Sequence, residues 1–372
     1  MEQPKIKVLV VDDSAIYRKI ITACLEKMPG VSVVGTAPNG RLALIKAKSL
    51  QPDLITLDVE MPDIDGVQTL KELQKSGFNI PVIMISAHTK EGAAVTIEAL
   101  ELGAYHFVTK PDGMDLQKNI HYLTESFKDL IAQLPRQQLL QTLKRSASKP
   151  SLTSVKPTST FASKPSVVAS KSNTVCKTGV ALPRNKSVLV IGVSTGGPNA
   201  LAEIIPKLPS TLKVPVLIVQ HMPAAFTSVL AESLDKKSPL SVVEAKHGEL
   251  IQRGKVYIAP GGKQMRLKGS ASAATIDITD DAPVKHCKPS VDYLFSTVAD
   301  VFGSSTLAVI LTGMGDDGTE GCRQLKNKNA FVFVQSGDTC VVNGMPKAAI
   351  DAGVVDTVLP LSEIAPALAS VF

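Results

Sequence analysis

The chain has 372 residues, which is long enough for two or three domains that each bury a core. Aromatic residues make up only 4% of the sequence and tryptophan is absent, so Val, Ile, Leu and Ala carry the apolar fraction, as is typical of α/β folds with buried parallel strands. The net charge of +6 arises mainly between Asp129 and Glu203, where no acidic residue occurs, and this local excess argues against a basic nucleic-acid-binding face on a folded domain.

Residues 1–130 alternate between strand and helix patterns, and we interpret them as the first domain. The predicted strands are 7–11, 31–35, 53–58, 81–86 and 105–110. Helices are predicted at about 14–27, 40–49, 91–102 and 114–134, with another starting after Asp65-Gly66. Five strand–helix units imply a doubly wound parallel sheet of the flavodoxin-like kind.

Polar side chains follow the predicted strands of this first domain. They are Asp12 and Asp13 after the first strand, Asp58 after the third, Ser86 after the fourth and Lys110 after the fifth. Ligands of such sheets bind beyond the carboxyl ends of the strands, so these groups are expected to meet. Three converging carboxylates repel one another unless a divalent cation joins them, and oxygen ligands suit Mg²⁺. Helix capping explains each residue singly, but not the whole set together with Lys110-Pro111.

This set of residues resembles the response-regulator receiver domain, and the resemblance covers the whole first segment. It implies that Asp58 accepts a phosphoryl group, while Lys110 and Ser86 contact the phosphorylated carboxylate. Phe107 stands where that family has its switching aromatic residue. The implied magnesium-binding set is Asp12, Asp13, Asp58 and the backbone carbonyl of Glu60.

Residues 131–186 change in composition, because Ser, Thr, Lys and Pro replace the apolar helix pattern. A segment of low hydrophobicity and one sign of charge does not bury enough surface to order itself, so we interpret it as a flexible basic linker. A flexible chain of this length has a root-mean-square span on the order of 40 Å. The linker therefore cannot fix how the two flanking domains meet.

The second domain, predicted at 187–372, begins with an apolar strand, a glycine turn and a helix pattern around Ser194. That context exposes a serine as a nucleophile, and the helix start supplies free N–H groups for an oxyanion. A phosphate-binding loop or an ordinary strand–helix joint has the same outline. The turn at 192–198 lacks the second glycine of a dinucleotide fingerprint and the Lys-Ser/Thr of a P-loop.

Two further apolar strands of the second domain also end in groups that suit acyl-transfer chemistry. The strand at 216–219 is followed by His221, and the strand at 307–311 leads to Asp316 and Asp317. Parallel strands would bring a nucleophile, a base and one of these acids to one edge of the sheet. Other strands are predicted at 240–245, 256–258, 265–268, 275–279 and 331–334, with a helix at 291–302. We therefore expect an α/β domain with a doubly wound, mainly parallel sheet.

The chain resembles, from end to end, the chemotaxis protein-glutamate methylesterases of the CheB family. The motifs that carry the resemblance are Gly-Val-Ser-Thr-Gly-Gly-Pro at 192–198, Gln-His-Met-Pro at 220–223, Tyr-Ile-Ala-Pro-Gly-Gly at 257–262, Pro-Ser-Val-Asp at 289–292 and Leu-Thr-Gly-Met-Gly-Asp-Asp-Gly at 311–318. The resemblance implies that Ser194 is the nucleophile, His221 the general base and Asp317 the acid. It also implies an oxyanion hole formed by the backbone N–H groups of Thr195 and Met314.

Two features depart from the family pattern. The linker is longer than usual, so the regulatory contact between the domains need not be the same, and Gln264 stands where the family often has His. The second departure concerns local substrate contacts and leaves the predicted triad intact.

The resemblance implies a phosphorylation-activated hydrolase that demethylates glutamate methyl esters and deamidates glutamines on chemoreceptors, with the receiver covering the Ser194 site until Asp58 is phosphorylated. Its implied partners are methyl-accepting chemoreceptors as substrate and a histidine kinase as phosphodonor; Mg²⁺ is expected in the receiver and no cofactor for the ester chemistry. A non-catalytic adaptor is the alternative, and a DNA-binding regulator lacks a helix-turn-helix pattern. We expect no membrane insertion, because the apolar runs are strand-length, and a cytoplasmic location, because five scattered cysteines fit a reducing compartment. We also expect a monomer.

Overall fold

The structure is a computed structural model that describes residues 5–111, 115–132, 134 and 183–372. The predicted linker at 131–186 lies mostly outside these ranges, as do Met114 and Cys176. No helix within the described ranges has both the length and the apolar character needed to cross a membrane.

The N-terminal part contains a parallel sheet of five strands, as the sequence predicts. The strands are β1 (Ile6–Val11), β2 (Val31–Ala37), β3 (Leu54–Asp58), β4 (Val82–Ser86) and β5 (His106–Thr109), arranged in the order β2-β1-β3-β4-β5. The central strands are buried on both faces, which explains their continuous apolar sequences. The order reverses beside β1, so the ends of β1 and β3 form the crevice in which such sheets bind ligands.

Five helices cover the two faces of this sheet. They are α1 (Ala15–Glu26), α2 (Gly40–Leu50), α3 (Gly66–Lys75), α4 (Lys90–Glu101) and α5 (Leu116–Ala132). The first four begin at Ser14, Asn39, Asp65 and Thr89, whose side-chain oxygens accept backbone N–H groups of the first turn. None of these four capping residues belongs to the predicted strand-end set, so helix capping does not account for Asp12, Asp58 or Lys110.

The C-terminal part is built on a parallel sheet of seven strands, which agrees with the predicted fold class. The strands of this sheet are β6 (Val188–Val193), β7 (Val216–Gln220), β8 (Ser241–Glu244), β9 (Lys255–Ile258), β12 (Thr306–Ile310), β13 (Phe331–Gln335) and β14 (Thr357–Leu359). Their order is β14-β13-β12-β6-β7-β9-β8, and every pairing is parallel. The adjacent strands β12, β6 and β7 therefore bring the three predicted triad segments to one edge.

Two predicted strands lie outside that sheet. β10 (Gln264–Lys268) and β11 (Thr275–Thr279) pair with each other as an antiparallel hairpin. The helices of this part are α6 (Gly197–Ile204), α7 (Ala224–Asp235), α8 (Val291–Phe302), α9 (Thr319–Asn327), α10 (Met345–Asp351) and α11 (Leu361–Val371), with short 3-10 turns at Ile205–Lys207 and Gly303–Ser305. The hairpin packs on α8, and Leu267 N donates to Thr297 Oγ1 on that helix.

The two parts meet through α4, which packs against α6 and α7. Phe107 on β5 stacks on Phe226 at the start of α7, with the ring centroids 4.4 Å apart. Around this aromatic contact, Lys90 pairs with Glu232 at 3.0 Å, and Glu101 accepts a hydrogen bond of 2.7 Å from Ser233 Oγ. Apolar packing at the centre with polar pairs at the rim is the usual arrangement of a specific interface.

Candidate active site

Ser194 lies directly after β6, in a turn whose backbone requires glycine. Gly196 has φ of +78°, and a Cβ on Gly197 would lie 1.9 Å from Gln220 Oε1. Gln220 Nε2 donates to the Ser194 carbonyl at 2.9 Å, so the end of β7 holds the turn in place. Ser194 is half-buried and lies in the turn that leads into α6.

His221 follows β7, and its imidazole is bonded to a buried carboxylate. The Nε2 atom lies 2.8 Å from Asp317 Oδ2, and the His221 side chain is 15% exposed. The neighbouring Asp316 is instead exposed and pairs with Lys285 at 3.1 Å. Of the two acids that spacing alone allowed, the geometry therefore places Asp317 beside the imidazole.

The Asp317 carboxylate is fixed by the start of α8. Its Oδ1 accepts hydrogen bonds from Ser290 Oγ at 2.9 Å and Asp292 N at 3.0 Å, and its Oδ2 accepts one from Val291 N at 2.7 Å. Burial by itself raises the pKa of Asp317, but the bond from His221 and these backbone donors outweigh it and hold the pKa below its usual value. Asp317 is therefore an oriented carboxylate ion, as a triad acid must be.

The protonation of His221 depends on the same contacts. Burial lowers the pKa of the ring, but hydrogen bonds with Asp317 and Cys287 more than compensate and raise the pKa to about 9. No hydrogen bond joins Ser194 Oγ to His221 within the described residues, because Nε2 faces Asp317 and Nδ1 lies 3.8 Å from Cys287 Sγ. The bond between nucleophile and base is often formed only when substrate is present.

The backbone N–H groups of Thr195 and Met314, the expected oxyanion donors, have no acceptor among the described residues. Gly313 N, next to Met314, donates to Val342 O at 2.9 Å, and Ser194 N donates to Thr312 O at 3.0 Å. The neighbouring donors are thus engaged, whereas these two remain available. Available backbone donors beside a nucleophile are the requirement for stabilising a tetrahedral oxyanion.

The strand-end residues of the N-terminal part also come together as expected. Lys110 Nζ lies 2.7 Å from Asp58 Oδ2 and 3.0 Å from Asp12 Oδ2. Oxygen atoms of Asp12, Asp13 and Asp58 all lie within 4.8 Å of one another, so they could hold a cation. Burial, followed by the charge of Asp12, raises the pKa of Asp58 to about 7, against the opposing effect of Lys110.

The remaining predicted residues of that part lie around the same edge or beside it. Ser86 is buried at the end of β4, where its Oγ donates within 3.2 Å to carbonyls of Ala87 and Gly92. Glu60 and Asp13 both line an open cleft of about 450 Å³. Phe107 is only 8% exposed, because its ring faces inward against Phe226.

Comparison with known proteins agrees with both parts of the structure. Residues 8–121 match the family model described as response regulator receiver domain, and residues 189–368 match the one described as CheB methylesterase. The chain is 43% identical to a protein-glutamate methylesterase/protein-glutamine glutaminase of Desulfotalea psychrophila, over 97% of this chain and 96% of that protein. It is 44% identical to the protein of the same description from Halalkalibacterium halodurans, over 98% and 97% respectively.

The chain belongs to the CheB methylesterase family. Among solved structures, the catalytic domain of Thermotoga maritima CheB methylesterase is 42% identical, covering 50% of this chain and 99% of that one, with a TM-score of 0.49. The two family-model matches and the near full-length relatives confirm the predicted resemblance, and the two parallel sheets confirm the predicted fold class. The roles of the individual residues stay predictions and enter the proposal below.

The sequence did not identify the residues that position Asp317, the predicted triad acid, in this CheB-family chain. Ser290 caps α8 and donates a hydrogen bond to Asp317. The cap could have been predicted, because a serine stands directly before the helix in Pro-Ser-Val-Asp. Gln264 is fully buried. Its Oε1 accepts a hydrogen bond from Ser290 N at 2.9 Å, and its Nε2 donates to the carbonyls of Ala282 and Cys287 at 3.2 Å. The departure at Gln264 therefore concerns the loop beside His221, which its bonds hold in place.

Proposed function

We propose that this chain is a phosphorylation-activated hydrolase that demethylates glutamate methyl esters and deamidates glutamines of chemoreceptors. The hydrogen-bonded pair of His221 and Asp317, at the sheet edge where β6 presents Ser194, carries this proposal. A pair fixed by four donors around one buried carboxylate suits acyl transfer better than a passive binding surface. An adaptor without catalysis would not require this arrangement.

In the proposed mechanism, Ser194 Oγ attacks the side-chain carbonyl of a methylated glutamate while His221 accepts its proton. The developing oxyanion binds the N–H groups of Thr195 and Met314, and Asp317 stabilises the imidazolium. The tetrahedral intermediate then releases methanol, or ammonia from glutamine, with a proton returned by His221. Water activated by the same imidazole hydrolyses the acyl-enzyme and frees Ser194.

The contact between the two parts supports the proposal that the receiver regulates activity by covering the Ser194 site. Leu100, His106 and Phe107 line a cavity of about 10 Å³ beside Ser194 and His221. That volume does not admit a glutamate side chain, so the described arrangement corresponds to a closed enzyme. Phosphorylation of Asp58 would open it through the strand-end loops and Phe107, since each tenfold change in activity requires only about 1.4 kcal/mol.

The carboxylates of the receiver fit Mg²⁺. The raised pKa of Asp58 and the closeness of three acids indicate a site that a divalent cation would stabilise. Asp12, Asp13, Asp58 and the Glu60 carbonyl would hold the ion, which would neutralise negative charge around the incoming phosphoryl group. Lys110 and Ser86 would contact the phosphoryl oxygens once Lys110 leaves the unmodified carboxylate.

The rest of the proposal extends the family assignment to this chain. Its substrate would be methyl-accepting chemoreceptors and its phosphodonor a chemotaxis histidine kinase. The division into a receiver at 1–130, a linker at 131–186 and a catalytic domain at 187–372 belongs to the same proposal, as do a cytoplasmic location and a monomeric state.

Methanol release from methylated receptor membranes tests the chemistry. We expect Ser194→Ala to lower release by at least roughly 10³-fold, whereas Ser228→Ala, at another serine of the same domain, should retain it. Ammonia release from receptors that carry glutamine should fall in parallel. Near-normal release by Ser194→Ala would exclude the proposed nucleophile, and no release from any form would favour the adaptor.

A further inference from the structure

Cys287 places a second nucleophile against the imidazole of His221. Its Sγ lies 3.8 Å from Nδ1, while Nε2 of the same ring bonds Asp317 at 2.8 Å. The three side chains form a Cys–His–Asp series in which thiol, base and acid are already connected. Ser194 has no such bond in the described structure, so the thiol occupies the nitrogen through which the ring would meet a nucleophile.

A tight turn holds this thiol in position. Val284 N donates to Cys287 O at 3.1 Å and Cys287 N donates to Val284 O at 2.8 Å, which closes a two-residue hairpin. The central residues Lys285 and His286 have φ of 48° and 65°, a conformation that glycine or asparagine usually supplies. Lysine and histidine adopt it at an energetic cost, and such strain concentrates at functional sites.

Three contacts enforce that conformation. Lys285 Nζ lies 3.0 Å from Asp292 and 3.1 Å from Asp316, and Gln264 Nε2 donates to the Cys287 carbonyl at 3.2 Å. These anchors come from the helix α8, the loop that carries Asp317 and the strand β10. The position of Cys287 is therefore determined by the same elements that position the triad acid.

The other described cysteines have different surroundings. Cys24 and Cys322 are buried, and burial raises the pKa of both thiols. Burial and the charge of Asp338 raise the pKa of Cys340 to about 12. These three remain protonated and poorly reactive near neutral pH, because the thiolate is the reactive form. Cys287 is half-buried and contacts a base instead.

We propose that Cys287 is a reactive thiol whose oxidation or alkylation stops the esterase by engaging His221. This inference rests on the proposed role of His221 as the base that serves Ser194. In molecules whose His221 is neutral, the imidazole accepts the thiol proton, and the resulting thiolate attacks a peroxide oxygen. An S–O bond forms as the O–O bond breaks, and the leaving hydroxide takes the proton back from the imidazolium as water. Sulfur is oxidised by two electrons to a sulfenic acid and the peroxide is reduced.

The modified sulfur then remains beside Nδ1, where it prevents Ser194 from reaching the base. Two molecules of an added thiol would reverse the change, giving the free Cys287 thiol, one disulfide of the added thiol and water. The chemical class of reagent is thus a peroxide or a soft electrophile of small size. The enzyme would lose and regain activity without any change at Asp58.

The first measurement is the rate at which iodoacetamide alkylates each cysteine of the full chain, determined by peptide mass spectrometry in a Cys176→Ser background. We expect Cys287 to react at least about tenfold faster than Cys340, and His221→Gln to slow only Cys287, by about the same factor. An unchanged Cys340 rate in that variant shows that the fold is retained. Equal rates at the two cysteines, or no effect of His221→Gln, would overturn the proposal.

The second measurement is methanol release before and after hydrogen peroxide, each variant being compared with its own untreated activity. The parent and Cys340→Ser should lose most activity and recover it with dithiothreitol, whereas Cys287→Ser should keep most of its own. Equal loss in Cys287→Ser would contradict the inference. Ser194→Ala separates the two proposals: retained activity there refutes the esterase mechanism, while unchanged alkylation of Cys287 in that variant leaves the thiol assignment intact.

Discussion

The imidazole of His221 is held between a carboxylate and a thiol, and this determines its protonation. Since its pKa in the folded chain is about 9, most of the enzyme carries an imidazolium at neutral pH, which cannot act as a base. We therefore predict that kcat/KM for ester hydrolysis rises about tenfold per pH unit up to pH 9 and then levels off. Asp317→Asn removes a hydrogen bond that raises the pKa, so its rising limb should lie at lower pH and its plateau should be reduced. A pH profile that is flat from 6 to 9 would contradict this.

The same shift affects folding stability. The folded pKa of His221 exceeds the ordinary value of 6.5, so the folded state holds the proton more tightly than the unfolded state. The resulting stabilisation is fully present below pH 6.5 and is lost as pH rises through about 9. The free energy of unfolding, measured with denaturant, should fall between pH 6 and pH 9.5, and it should fall less in His221→Gln than in the parent.

Ser290 donates a hydrogen bond to Asp317, and we predict that it acts on the reaction only by positioning that carboxylate. Ser290→Ala removes both the bond to Asp317 Oδ1 and the cap that accepts Tyr293 N. We expect about 1 kcal/mol lower stability from the lost cap, and a kcat reduced by about tenfold at nearly unchanged KM from the looser carboxylate. Ser290→Thr retains the hydroxyl and should restore most of kcat. A fall in stability without a fall in kcat would show that the hydroxyl only caps α8.

At the scale of elements, the proposal implies that the contact of α4 with α7 restricts access to Ser194. Glu101 on α4 pairs with Lys237, which follows α7, at 2.5 Å. Glu101→Lys and Lys237→Glu each place like charges together. If the closed arrangement is thereby destabilised by about 1 kcal/mol, the unphosphorylated activity should rise about fivefold. The exchanged pair, with both substitutions, should return activity towards the parent level. Single variants that release methanol no faster than the parent would show that this contact does not restrain the enzyme.

The strands of both sheets could be predicted from sequence because they are apolar runs with functional groups at their ends. β6, β7 and β12 illustrate this, since each run is wholly buried. The three half-buried residues of β14 gave no such pattern. The strands β10 and β11 were predicted, but their pairing as a separate hairpin was not, because short alternating segments do not specify which sheet they join.

The arrangement within the site was less predictable, because it depends on contacts between distant segments. Spacing indicated an acid at 316 or 317 and the family resemblance pointed to Asp317, but only the folded chain shows that Ser290 and the start of α8 bond the carboxylate of Asp317. The contact of Cys287 with His221 spans 66 positions, and it follows from a turn in which two residues have positive φ. Sequence patterns report local preference, whereas these contacts are selected by packing.

At the scale of the whole molecule, we propose that a phosphoryl group at one sheet edge acts on an ester site at the edge of the other sheet. Phe107 stacks on Phe226 and lines the small cavity beside Ser194, and we propose that opening of this interface controls turnover. Phosphorylation at Asp58 is thus expected to act on access to the site and not on the triad itself. The chemistry should therefore persist in variants that cannot be phosphorylated.

The most direct test is the initial rate of methanol release from methylated receptor membranes, with and without a small phosphodonor and Mg²⁺. We predict that the phosphodonor raises the rate of the wild type at least about tenfold, that Asp58→Asn keeps the basal rate without the increase, and that Ser194→Ala abolishes both. A rate in the wild type that is high at the outset and unchanged by the phosphodonor would contradict the central claim that the receiver closes the Ser194 site.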